Sequence, residues 1–302
     1  MLFRVLGSMS VTDNGEDRTP SAPKHRQMLA LLLMNADHVV STAQFVEELW
    51  EYNPPPQAVA AVHTYVMQLR RLLRGPAGTP ADGPGRLLTR DQGYLLRVED
   101  GELDLHAHRR HLRAGRALLA AGDLAAGARR IRVAHALWGG AGLPDVPTGP
   151  LLRAALAPLE RERDQATLER VRAELALGRH HELLAELCAL VHQDLANEEL
   201  TAQLMTALYR SGRQADALAA FHRLRHALRE DFDTTPGPEV HRLITDILAG
   251  HPRLEPPATA GPALSLDAVT RPRALPAPDP APAHRLGTAG RSPEAGRVLL
   301  GA

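Results

Sequence analysis

The chain has 302 residues, 44% of them hydrophobic but only 3% aromatic, so the apolar material for two cores must come from Leu, Ala and Val, a composition that favours helices. A single cysteine, Cys188, excludes an internal disulfide and every multi-cysteine zinc pattern, and the longest apolar run, MLALLLM over 28–34, is about a third of a membrane span. With 35 basic against 35 acidic side chains, any affinity for nucleic acid has to come from a local patch, used in more than one copy. No stretch compensates: residues 1–97 carry 10 basic against 9 acidic groups and residues 98–250 carry 19 against 22. A soluble, cytoplasmic protein with no membrane partner is expected.

In chain order, LFRVLGSMSV alternates as a strand does and TDNGED is a turn. KHRQMLALLLMNA (24–36) has a broad apolar stripe and reads as a helix. Ser41 with Gln44 three residues on is a capping box, opening a helix that carries Phe45, Val46, Leu49 and Trp50 inward. NPPP (53–56) must end it. A longer helix follows over about 57–74, with Val62, Val66, Leu69 and Leu73 on one face and Thr64, Gln68 and Arg71 on the other. After the loop GPAGTPADGPG, RLLTRDQGYLLRV gives two short strands around Asp91-Gln92-Gly93. Strands, two helices, a turn, a long helix and a hairpin in this order describe a winged helix-turn-helix.

Residues 103–250 are continuous helix-forming sequence, interrupted at Gly122, Gly178 and Gly212. The last two lie 34 residues apart, the period of a tetratricopeptide repeat, and each glycine supplies the turn between two helices. Gly122 lies 56 residues before Gly178, which places an insertion between them, the loop WGGAGLPDVPTGP (138–150). Ala185, Ala217 and Ala220 are the small residues expected where neighbouring helices approach. Residues 251–302 hold ten prolines without any sustained period and are expected to be a disordered tail. The fold class is therefore mainly α: a winged helix-turn-helix over 1–97 and an all-α tetratricopeptide-like domain over 103–250.

No catalytic motif stands out along the chain. No phosphate-binding glycine loop occurs, so nucleotide hydrolysis is not expected. His108 and His111 share a helix face, but no carboxylate or cysteine completes a ligand set, and both are expected on a solvated face. Cys188, among Leu187, Ala189 and Leu190, reads as a buried inert thiol. Neither an enzyme nor a metal or cofactor site is expected.

The long helix is where function is expected. Small Ala60 and Ala61 let its backbone approach a groove floor, and Ala61, Thr64, Tyr65 and Gln68 are the candidates for base edges. Arg70, Arg71 and Arg74 are the candidates for phosphates, and Arg90 and Gln92 stand at the tip of the wing. Arginines at a helix C-terminus also complement its dipole, and the near-neutral first region leaves a second reading, a helical-repeat adaptor whose winged helix does not bind DNA.

FRVLG, PKHRQMLALLLMNADHVVSTAQFVEELW, VHTYVMQLRRLLR and TRDQGYLLRV, in this order, resemble the DNA-binding domain of Streptomyces antibiotic regulatory proteins, a winged helix like that of OmpR-type response regulators. The helical sequence, above all ALYRSGRQADAL followed by TTPGPEV, resembles their bacterial transcriptional activator domain. The resemblance covers about residues 1–250. It implies an activator of a secondary-metabolite gene cluster that binds direct repeats near a promoter, associates as two copies on double-stranded DNA and recruits RNA polymerase holoenzyme. Large members carry an ATPase module after this point; a small, stand-alone, nucleoid-associated member is expected here.

Overall fold

The computed structural model describes residues 1–74 and 85–256. Strands β1 (Leu2–Arg4), β2 (Ser10–Asp13) and β3 (Glu16–Asp17) form an antiparallel sheet in that order. Asn14 and Gly15, both at positive φ, make the tight turn that the Asn-Gly pair encodes. Helix α1 (Pro23–Met34) starts on a proline and buries every residue from Gln27 to Leu33, so it is a core helix rather than an amphipathic one. Then come β4 (Val39–Ser41), α2 (Thr42–Trp50), opened by the expected capping box, and α3 (Ala58–Leu72) beyond the prolines.

Strands β5 (Leu87–Arg90) and β6 (Gly93–Leu96) form the expected hairpin, closed at Asp91-Gln92. The sequence reading did not contain β4, which joins the hairpin to make a sheet of order β4-β6-β5. Ser41 pairs with Gly93, where a Cβ would fall 2.3 Å from the Val40 carbonyl oxygen. The expected winged helix-turn-helix is what these residues form. The Gly/Pro loop falls, over 75–84, outside the described residues.

Among the described residues seven α-helices follow: α4 (Asp104–Ala120), α5 (Leu124–His135), α6 (Pro150–Ala176), α7 (His180–Gln193), α8 (Glu198–Arg210), α9 (Gln214–Phe232) and α10 (Pro238–Ala249). Gly122, Gly178 and Gly212 sit at positive φ between α4 and α5, α6 and α7, and α8 and α9. At each, the next residue's N–H reaches back to a carbonyl five residues earlier: Asp123 to Leu118, Arg179 to Glu174, Arg213 to Leu208. That is one helix-ending motif used three times.

Ala217 and Ala220 are buried as expected, but Ala185 and Cys188 are exposed. Helix α7 packs through the single stripe Leu183, Leu187 and Val191, which leaves both residues off the contact. His108 also departs from expectation. It is fully buried, its Nδ1 3.0 Å from the Ala134 carbonyl oxygen and its ring edge-on to Trp138. Of the expected tail, residues 251–256 are described, and Leu254 is buried against α8 with its carbonyl accepting from Arg210 Nε at 2.9 Å. The remainder, 257–302, lies outside the described residues.

The core of the winged helix does not close at residue 97. Phe3, Leu29, Phe45, Val62, Leu69 and Leu96 share one cluster with Leu105, Leu143, Val146, Leu152, Leu156 and Leu159. Its polar centre is Glu48, only 1% exposed. Glu48 Oε1 accepts from the N–H of Gly149 at 2.6 Å and from Gln27 Nε2 at 3.1 Å, and Oε2 accepts from the N–H groups of Leu151 at 2.9 Å and Leu152 at 3.0 Å. A carboxylate on α2 thus caps the first turn of α6, whose positive dipole end it also meets. Gly149 is required there, since a Cβ would lie 2.1 Å from the Glu48 carbonyl oxygen. Two further acids repeat the device: Asp104 accepts from the N–H groups of Val5 and Leu6, and Asp145 accepts from Met9 N–H and pairs with Arg26.

Replacing Glu48 by Ala strands buried N–H groups of α6 and should lower unfolding free energy by about 2–4 kcal/mol, read from the urea midpoint, with Glu48→Gln losing less. Burial, with the Arg170 cation adding to it, pushes the His135 pKa from 6.5 down to about 4, and its Nε2 lies 3.2 Å from the Arg163 carbonyl oxygen. Between these values the unfolded chain takes up a proton that the folded chain refuses, so stability is full above about pH 6.5 and falls as pH drops toward 4. The urea midpoint should decline between about pH 7 and about pH 5, and less steeply in His135→Asn.

Candidate nucleic-acid interface

Helix α3 is held on the domain by Ala58, Val62, Val66, Leu69 and the adjoining Leu73, all buried. Its other side is open: Ala60, Thr64, Met67, Gln68, Arg71 and the following Arg74 are exposed. At about 100° per residue they lie within about 80° of Thr64, forming one face. Thr64 donates its hydroxyl proton to the Ala60 carbonyl at 3.0 Å, which leaves the hydroxyl oxygen as an outward acceptor beside the methyl group.

The two flanks of this face are built differently. On one side stands α1, whose His25 has Nε2 against Gln68 Oε1 and its ring edge-on to Tyr65 at 4.9 Å. On the other side stands the wing. Arg70 Nε donates to the Leu87 carbonyl at 3.0 Å and an Arg70 terminal nitrogen donates to Thr89 Oγ1 at 2.6 Å, with the guanidinium over the Tyr94 ring. The face is therefore fixed in direction by contacts from both sides.

Of the residues expected on base edges, Thr64 and Gln68 are exposed near its middle, whereas Ala61 and Tyr65 are half-buried at its α1 margin. Of those expected on phosphates, Arg71 and Arg74 are exposed, but Arg70 is turned into the wing. Arg90 and Gln92 are exposed at the hairpin tip, which is tied to the start of α2 because the Gln92 carbonyl accepts from the Thr42 N–H at 2.9 Å.

Three residues escaped the sequence reading. Met67, 69% exposed, lies between Thr64 and Arg71 on the same face. A helical wheel places it there, on the face opposite Val62, Val66, Leu69 and Leu73. His63 is exposed on the wing side, 6.5 Å from the Tyr94 ring. Arg18, just after β3, lines with Thr19, Gln68, Arg71 and Leu72 an open notch of about 440 Å³, and nothing in its turn-like context marks it. Among the described residues no cluster of His, Cys, Asp and Glu could hold a metal ion, and no helix is long and apolar enough to cross a membrane.

Residues 16–96 match the family described as Transcriptional regulatory protein, C terminal, and residues 103–248 match the Bacterial transcriptional activator domain. The chain is 36% identical over 272 residues to Regulatory protein DnrI of Streptomyces peucetius, covering 88% of this chain and 100% of the relative. It is 35% identical to Regulatory protein AfsR of Streptomyces coelicolor over 91% of this chain, but spans 27% of that longer protein. Among solved structures, Mycobacterium tuberculosis EmbR in complex with a low affinity phosphopeptide superposes with a TM-score of 0.76 at 33% identity, over 83% of this chain and 65% of that one. The winged helix with its exposed α3 face, the helical region joined to it and a relative matched along its whole length make the chain a member of the Streptomyces antibiotic regulatory protein family of transcriptional activators.

Proposed function

We propose that the chain activates a secondary-metabolite gene cluster by laying α3 in the major groove of direct repeats near the promoter and recruiting RNA polymerase holoenzyme. The observation that carries this reading is the exposed α3 face. Base-reading groups occupy its middle, arginines its C-terminal end, and contacts to α1 and the wing fix its direction. Thr64, Met67 and Gln68 meet base edges, Met67 by apolar contact with a thymine methyl, while Ala61 and Tyr65 line the margin. Arg18 and Arg71 hold phosphates beside Gln68, Arg74 holds one at the end of the helix, and Arg90 with Gln92 hold the backbone at the wing. Arg70 acts one step back, by fastening the wing to α3. The helical region presents the surface for polymerase, so that the winged helix over 1–97 addresses DNA and residues 103–250 address protein.

With so few cations a single copy binds weakly, and two copies on adjacent repeats gain by effective concentration. Repeats spaced near a multiple of the helical turn, about 10 to 10.5 base pairs, place them on one side of the duplex. The adaptor reading, in which the winged helix does not bind DNA, predicts no activation, and transcription with purified polymerase on the promoters of neighbouring genes separates the two.

Mobility shifts on those promoters test the contacts. Arg71→Ala should weaken binding to every sequence and reduce the slope of log affinity against log salt by about 1. Met67→Ala should leave that slope unchanged and relax preference at one base pair, by about 1–3 kcal/mol or less. Absence of any salt-dependent binding to these promoters would falsify the proposal.

A further inference from the structure

We infer that His25 is a positioning residue that decides which atom of Gln68 is offered to DNA, turning the amide N–H outward as a donor toward the N7 atom of a purine. This rests on the DNA-facing reading of α3 given above. His25 lies in the first turn of α1, half-buried, with its ring edge-on to Tyr65 at 4.9 Å. Among the described residues its Nδ1 is buried without any hydrogen-bond partner, while its Nε2 meets Gln68 Oε1.

These two facts select the tautomer. A proton on Nδ1 would be a buried donor with no acceptor, an arrangement that proteins avoid more strictly than an unused lone pair. The proton therefore sits on Nε2 and is donated to Gln68 Oε1. An imidazole so placed also settles the orientation of the Gln68 amide, because the alternative would leave its NH₂ group facing an N–H donor. With the oxygen held toward α1, the NH₂ group is the part of Gln68 that points away from the domain.

A glutamine side chain is long, and its terminal amide turns over a broad, roughly two-fold torsion. Left unsupported, it offers donor and acceptor interchangeably and has to be ordered on binding. Held by His25, it offers donors only, which suits the N7 acceptor of adenine or guanine and opposes cytosine, whose major-groove N4 group is itself a donor. The adjoining notch with Arg18 and Arg71 puts cations beside the same amide, where a phosphate would fix the register of the contact.

The test uses the full chain and a duplex obtained by repeated selection from random-sequence DNA, with each purine replaced in turn by its 7-deaza analogue. In the wild type, one such replacement should weaken binding about 3- to 10-fold, and Gln68→Ala should abolish that sensitivity. His25→Phe keeps a ring against Tyr65 but has no donor. It should weaken binding to the intact duplex about 2- to 10-fold, with little change on the 7-deaza duplex and in Tm. His25→Gln, which brings back an N–H, should recover part of the difference. Equal weakening on both duplexes overturns the positioning role and leaves the reading of α3 standing. If no duplex is enriched, or if the wild-type 7-deaza sensitivity survives in Gln68→Ala, the DNA-facing reading of Gln68 falls and this inference with it.

Discussion

The buried carboxylate of Glu48 stands at the centre of the junction between the two halves of this molecule. Glu48 sits on α2, the helix before the one that carries the candidate interface, and caps the first turn of α6, the longest helix of the second half. An isolated carboxylate at 1% exposure would be costly. Here three backbone N–H groups, the Gln27 amide and the positive end of α6 offset that cost, and among the described residues the N–H groups of Leu151 and Leu152 have no other acceptor. Movement of α2 against α6 would break this set at once. The direction of α3 is thus tied, through α2, to the helical region that stands behind it.

Such a junction suits an activator better than two domains on a flexible linker. Asp104 and Asp145 add bonds between the β1–β2 segment and the second half, and the apolar core runs through the same junction. On the proposed reading, seating α3 in the groove gives the surface of α4 to α10 a defined place along the duplex. The orientation of the helical region is then part of the binding site's geometry rather than a matter of chance.

Much of this was legible along the chain, because it depends on neighbours in sequence. The capping box at Ser41, the proline break, the stripe of α3 and the turns at Gly122, Gly178 and Gly212 are local patterns, and each appears where it was expected. What was missed depends on distant partners. Strand β4 has three residues, and pairs with β6 more than 50 positions on. Glu48 looks like an ordinary surface acid in VEELW, although its place beside Phe45 and Leu49 puts it on the buried face, where a charge calls for an explanation. His108 is buried because α5 and Trp138 cover it, which no spacing within HAHRRH could reveal. On α3, exposure was legible but direction was not: Arg70 was read by its charge, and only the wing, arriving after the intervening loop, turns it inward.

The zero net charge also has a structural account. Several arginines are already paired within the chain, Arg116 with Glu162 and Glu169, the buried Arg170 with Glu174 and Glu186, Arg86 with Glu102 and Arg26 with Asp145. Arg71 and Arg90, on the α3 face and at the wing tip, make no ion pair with a described acid. A formal sum over the chain therefore mixes charges that staple helices together with charges that face solvent, and only the second kind acts on a phosphate. On the function proposed above, a few such cations give little non-specific affinity, and discrimination then comes from base contacts and from repetition of the site. Under these conditions the orientation of one amide on α3 matters more than it would in a strongly basic protein, where phosphate contacts alone would hold the duplex.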